Sequence, residues 1–225
     1  MIDDIIYKHL LCFHIRRERE IYKMCMELIN EIKEKQPCEN TESAIKIANK
    51  ILEKLKINTM PVDISKILTG LGFKIYVSDM FKGNISGMIC ISPDLKQSFD
   101  TDKIIIVSKE DNIGRQRFTL AHEFCHYIFD FNCKTMSSYV DAYDINKADC
   151  DSEMVSSRFA AELLIPEKFF IDKIKKLHAN KINYYDAVSD LMDYFNVSKK
   201  SIEKRFVELQ DKIPNNVKKD YLNII

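Results

Sequence analysis

Apolar residues recur at helical spacing along most of the chain and at strand spacing in one short region. Ile21, Met24, Cys25, Leu28 and Ile32 form one stripe, with Lys23, Glu27, Asn30, Glu31 and Lys33 largely elsewhere. Residues 2–35 therefore read as helix, with a candidate break at Arg16–Arg19, ended by Gln36-Pro37. A second helix runs from Thr41 to about Lys56 on Ala44, Ile47, Ala48, Ile51 and Leu55. Pro61 restarts the chain, and Val62–Leu71 predicts a short helix closed by Gly70 or Gly72. The period then changes. Phe73–Val77, Ser86–Ser92 and Lys103–Val107 carry strand signals, and the polar stretch Pro93–Asp102 suits a hairpin loop.

Helical spacing returns with Leu120, Phe124, Ile128 and Phe131, on a helix for which Asp111 or Asn112 is the candidate cap. From Phe131 to about Lys147 the chain is polar and reads as an irregular loop carrying Tyr139 and Tyr143. Asp149–Ile165 predicts a helix stopped at Pro166, and three more follow at about 167–179, 183–194 and 199–210. The last two, joined by Phe195-Asn196-Val197-Ser198, look like a helix-turn-helix unit with Ser198 as N-cap. Residues 211–225 read as a weakly ordered tail, with Tyr221, Leu222, Ile224 and Ile225 as docking candidates. Helices surrounding a small sheet make the class α+β. The expected division is an N-terminal helical arm (1–40), a core (41–170) and a C-terminal helical unit packed on it (171–225).

The chemistry lies on the helix after the third strand. His122 and His126 are four apart, so both imidazoles stand on one helix face and can reach one metal ion. Zinc suits them, because it takes imidazole nitrogen and accepts a tetrahedral site with one open position. Glu123 then sits beside the activated water without being a ligand and can take its proton. A catalytic zinc usually has three protein ligands, yet no histidine follows His126 until His178. A carboxylate on the 149–165 helix is the remaining standard option. Glu153 shares a stripe with Ser156, Ser157, Ala160 and Leu164 and points inward; Asp149, one turn earlier, is the alternative ligand. Glu162, half a turn round, is expected to face solvent.

The segment Arg117-Phe118-Thr119-Leu120-Ala121-His122-Glu123-Phe124-Cys125-His126, followed by Arg158-Phe159-Ala160-Ala161-Glu162-Leu163-Leu164-Ile165-Pro166, resembles the ImmA/IrrE metallopeptidases. Met60–Ile64 with Leu71-Gly72-Phe73, and Phe195–Ser198 with Arg205-Phe206, are similar to further stretches of that family, so the resemblance covers about residues 41–210. It implies a zincin-like core, His122 and His126 as zinc ligands, Glu123 as catalytic base, Glu153 as third ligand and one zinc per chain. It also implies a protein substrate: a helix-turn-helix (XRE-type) repressor whose cleavage relieves repression in a mobile-element or stress-response circuit. The chain departs from the family at Ser156-Ser157, where Ala-Asn or Ala-Asp is usual.

Composition narrows the rest. The 34 basic and 34 acidic residues of the 225 cancel, so no global field favours nucleic acid or an anionic membrane. Lys199, Lys200, Lys204 and Arg205 form a basic stretch on the second helix of the helix-turn-helix-like unit, diluted by Glu203 and Glu208; a structural role is favoured over DNA contact. Seven cysteines without a Cys-x-x-Cys pair fit free thiols in a reducing cytosol. Cys125 beside His126 reads as a packed thiol, since helix neighbours point about 100° apart. Acidic Met1-Ile2-Asp3-Asp4 lacks the basic start of a signal peptide, and no run of apolar residues is long enough to span a bilayer. A cytoplasmic location is expected.

Overall fold

The computed structural model describes residues 23–24, 26–32, 40–131, 136–144 and 151–221. Residues 23–24 and 26–32 are helical (α1), and Leu28, Ile29 and Ile32 are buried. The remainder of the expected 2–35 helix and Asp149 lie outside the described residues.

Helix α2 (Thr41–Lys54) is capped by Asn40, whose side chain accepts from the Ser43 amide, and it buries Ala44, Ile47, Ala48 and Ile51. Helix α3 (Ile64–Gly70) is capped by Asp63 and ends where Gly72 takes φ 85°, a conformation glycine enters at little cost. Three strands follow: β1 (Lys74–Ser78), β2 (Ile85–Ile91) and β3 (Lys103–Ser108). The β2–β3 connection contains a short helix, α4 (Leu95–Phe99). Strand β3 pairs parallel with β1 and antiparallel with β2.

A fourth strand, β4 (Tyr139–Asp144), replaces the expected irregular loop and pairs antiparallel with β2, giving the order β1-β3-β2-β4. Its alternation was hidden by composition. Tyr139, Asp141 and Tyr143 lie opposite Ile91, Ile89 and Gly87, so their side chains share the inner face of the sheet. An aspartate on that face makes the stretch read as polar, although Tyr and Val are strand formers.

Helix α5 (Ile113–Phe129) packs across the sheet on β2, β3 and β4. Asn112 caps it by accepting from the Arg115 amide, and Gln116 Nε2 ties its first turn to the carbonyls of Ser108 and Asp111. Two glycines permit its close approach to neighbours. A Cβ at Gly87 would stand 2.6 Å from Thr119 Cγ2, and one at Gly114 would stand 2.7 Å from the Ser198 backbone nitrogen. Helix α6 (Asp151–Leu164) lies between α5 on one side and α2 on the other. Phe124 and Phe159 meet edge to face across the α5–α6 contact, centroids 5.8 Å apart.

Helices α7 (Glu167–Ala179), α8 (Tyr184–Phe195) and α9 (Lys199–Glu208) complete the chain's second half, with Asn196 left-handed at φ 51° in the α8–α9 turn and Ser198 capping α9. The expected loose tail instead contains α10 (Asn215–Tyr221). Tyr221 is buried against Phe206, Tyr184 and His178, and its hydroxyl donates to the Ile182 carbonyl at 2.7 Å, which orders the segment. One hydrophobic cluster runs from Leu28 to Tyr221.

Candidate metal centre

Helix α5 is set by its apolar stripe: Leu120, Phe124 and Ile128 go to the core, which turns His122 and His126 toward α6 and β4. Helix α6 does the same for Glu153, on the buried stripe with Ser156, Ala160 and Leu164. The three side chains converge. His126 Nε2 lies 3.1 Å from His122 Nε2, Glu153 Oε2 lies 3.0 Å from His122 Nε2, and Glu153 Oε1 lies 3.5 Å from His126 Nε2. A tetrahedral ion with ligand bonds of 2.0–2.1 Å sets its ligand atoms about 3.3 Å apart. The spacing fits one small divalent cation, and these three residues form a buried group that could hold it.

The surroundings support that fit. Asp130 Oδ2 lies 2.5 Å from His126 Nδ1, so the proton is held on that nitrogen and the Nε2 lone pair faces the group. Seven buried side-chain polar atoms lack a hydrogen-bond partner among the described residues, and five of them are here: His122 Nδ1, both Glu123 oxygens, Glu153 Oε2 and Asp141 Oδ2. Buried polar atoms are otherwise almost always paired, and a cation held between the two Nε2 atoms and Glu153 would answer the negative charge of the carboxylates gathered here.

The electrostatics have the same origin. Burial, with His126 adding to it, pushes His122 below the ordinary imidazole value, and contact with Glu153 opposes the shift only in part. Burial also works against charge on His126, but Asp130, Asp141 and Glu153 outweigh it and hold that imidazole above its ordinary value. Burial alone would raise Glu153, yet the two imidazoles keep it below the usual carboxylate range. Glu123 is raised well above that range by burial and by the charges of Asp141 and Glu153, while the Tyr143 backbone facing it opposes the shift.

Sequence comparison places this geometry. The family described as the IrrE N-terminal-like domain, peptidase M78, matches residues 75–207, more than half of the chain. The chain belongs to this family. No curated protein sequence matches it. Among solved structures, a Mycobacterium tuberculosis transcriptional regulator is similar at 11% identity and a TM-score of 0.45, over 84% of this chain and 51% of that one. The chain thus spans about half the length of that regulator.

In this IrrE-like domain, β4 brings Asp141, which the sequence reading did not single out, to the group together with Tyr139 and Tyr143, which it did. Asp141 brings Oδ2 to 3.5 Å from His126 Nε2, and the Tyr143 ring lies over His122 with centroids 4.0 Å apart. Tyr139 is held protonated by burial and by the charges of Asp141, Asp130 and Glu123. The one available signal was the two-residue period of Tyr139, Asp141 and Tyr143. Tyr127 points away, packing edge to face on Phe73 and stacking on Phe131. Cys125 is buried in the core, and the half-buried Cys90 is a free thiol.

One expectation about the residues near the site is overturned. Glu162 does not face solvent: it is 1% exposed and is bonded by Arg205 Nη2, by Asn49 Nδ2 at 3.0 Å and by the Glu167 amide at 3.2 Å. The helical-wheel argument assumed one buried face, whereas α6 is enclosed on two sides and α9 brings a countercharge to the second. Arg205 is thereby removed from the basic surface of α9.

Proposed function

We propose that this chain is a zinc-dependent endopeptidase built on a zincin-like core, with His122, His126 and Glu153 as ligands of one zinc and Glu123 as catalytic base. The observation that carries the proposal is the convergence of three buried ligand atoms at tetrahedral spacing beside a buried, unsatisfied Glu123. When bound, zinc supplies Lewis-acid polarisation of the scissile carbonyl and acidifies water at neutral pH.

The chain's own residues do the rest. Asp130 orients the His126 ring through Nδ1. Glu123, carried one residue after the first ligand, takes a proton at its carboxylate and returns it to the leaving amine. Strand β4 is an edge strand flanking the group, which suits main-chain pairing with an extended substrate.

The substrate we favour is a protein, a helix-turn-helix repressor, as the family resemblance implies. The α8–α9 pair serves as scaffold rather than DNA reader: Arg205 is internal and Lys199 is paired with Glu203 at 3.4 Å. Among the described residues no helix is long and apolar enough to cross a membrane. The test is Glu123→Gln. The variant should keep zinc and lose cleavage of the cognate repressor by about 100-fold or more; undiminished cleavage would sink the proposal.

A further inference from the structure

A cavity of about 510 Å³ lies where α5, α6 and α9 meet, and no step above uses it. It adjoins the metal group. Phe118 and Tyr143 both line it, and their ring centroids stand 6.4 and 4.0 Å from that of His122. Its volume is in the range of ligand pockets and exceeds a single side chain.

The lining is divided. Phe118, Met154, Ala161 and Ile165 make one part apolar, while Arg115, Arg158, Lys200 and Lys204 make the other cationic. Among the described residues Glu208 is the single acid in the lining, and it is already engaged by Arg158 Nη1 at 2.5 Å and Arg205 Nη1 at 3.1 Å. Setting Arg158 against Glu208 leaves Arg115, Lys200 and Lys204 as a positive surplus. Arg115 is fixed in place by neutral groups: its Nε and Nη2 donate to Ser86 Oγ at 3.2 and 3.1 Å, and its guanidinium lies 5.1 Å from the Tyr143 ring centroid. The chain as a whole carries no net charge, so this surplus is local. A mixed apolar and cationic cavity beside a candidate hydrolytic centre matches peptide that combines aliphatic stems with carboxylates.

We propose that this cavity is a specificity pocket that takes an acidic stretch of the peptide substrate, placing it beside the metal group. The proposal rests on the peptidase reading. The pocket selects substrate by charge: Lys200, Lys204 and Arg115 attract Asp or Glu side chains and leave the matching amides less tightly held.

The test uses the full chain, zinc-loaded and carrying Glu123→Gln so that peptides are bound and not consumed. The probes are short fluorescein-labelled peptides with an Asp-Glu pair at successive positions, each set against an Asn-Gln twin, with binding read by anisotropy. At least one acidic peptide should bind about tenfold tighter than its twin at low salt, with the preference shrinking as salt is raised. K200Q/K204Q should reduce the preference and K200E/K204E should abolish it, with zinc content and thermal midpoint unchanged. Equal affinity for all twins, or a preference that survives charge reversal, overturns the pocket. So does duplex DNA that displaces the labelled peptide better than unlabelled acidic peptide does. The two readings fail separately. A chain with Glu123 intact that cuts acidic and amide twins equally well keeps the peptidase and loses the pocket. One that discriminates the twins in binding and cuts none keeps the pocket and loses the peptidase.

Discussion

Helix α6 carries two buried glutamates in opposite conditions. Glu162 accepts from Arg205, Asn49 and the Glu167 amide, and Arg205 is itself shared with Glu208 and the Ile165 carbonyl. Its charge is answered on every side by the protein. Glu153, nine positions earlier, meets two imidazoles, with Glu123 and Asp141 close by and several of their oxygens unanswered. Both sites remove carboxylates from water, which costs several kcal/mol per ion unless a partner is present. The first site contains its partner and is complete as folded. The second gathers carboxylates and imidazole nitrogens around a point that could hold a cation. Burial of charge by itself is therefore a poor guide to function; the state of the partners distinguishes scaffold from site.

The largest expected effect lies on the completed side. Arg205→Ala leaves Glu162 buried without its countercharge and should cost about 3–5 kcal/mol, read as a drop in the denaturant midpoint. Replacing both partners together, as Glu162→Leu with Arg205→Met, should recover most of that loss. The contrast would break if the single variant were as stable as the parent.

The next effect has the opposite sign. Glu123→Gln should stabilise the metal-free protein by roughly 1–3 kcal/mol, because a buried carboxylate beside the like charges of Asp141 and Glu153 is replaced by a neutral amide. The pH dependence follows from the raised Glu123 value. Above the raised value the folded parent bears a buried charge and the gain is fully present. As pH falls through that value Glu123 protonates in the folded state, and below the ordinary value of 4.5 the folded and unfolded forms are protonated alike, so the gain fades. Denaturation in the presence of a chelator at several pH values checks both sign and window. The smallest effect belongs to Asn49→Ala. Glu162 keeps Arg205 and the Glu167 amide, so a loss of about 0.5–1.5 kcal/mol is expected, with metal binding unchanged.

Much of this architecture was legible where one period dominated. The α7 range, the Asn112 and Ser198 caps and the first three strands follow from spacing and cap chemistry that neighbours do not override. The faces of α5 and α6 that bring His122, His126 and Glu153 together follow from their apolar stripes. What escaped depended on the third dimension. Strand β4 was masked because its inner face carries Asp141 toward the metal group, where a strand would ordinarily bury a hydrophobe. The burial of Glu162 depends on Arg205, 43 residues later. The order of the last helix depends on Tyr221 meeting an aromatic cluster drawn from α7, α8 and α9. Local pattern reports which face is buried; it does not report who waits there.

The most direct test of the contrast between the two glutamates is metal stoichiometry of the reduced 225-residue chain compared with Glu153→Ala and Glu162→Ala. The account predicts one zinc per chain in the parent, a loss of at least about 100-fold in affinity in Glu153→Ala, and parental affinity in whatever fraction of Glu162→Ala remains folded. A parent that binds no zinc, or a Glu153→Ala protein that holds it as tightly as the parent, would contradict the account.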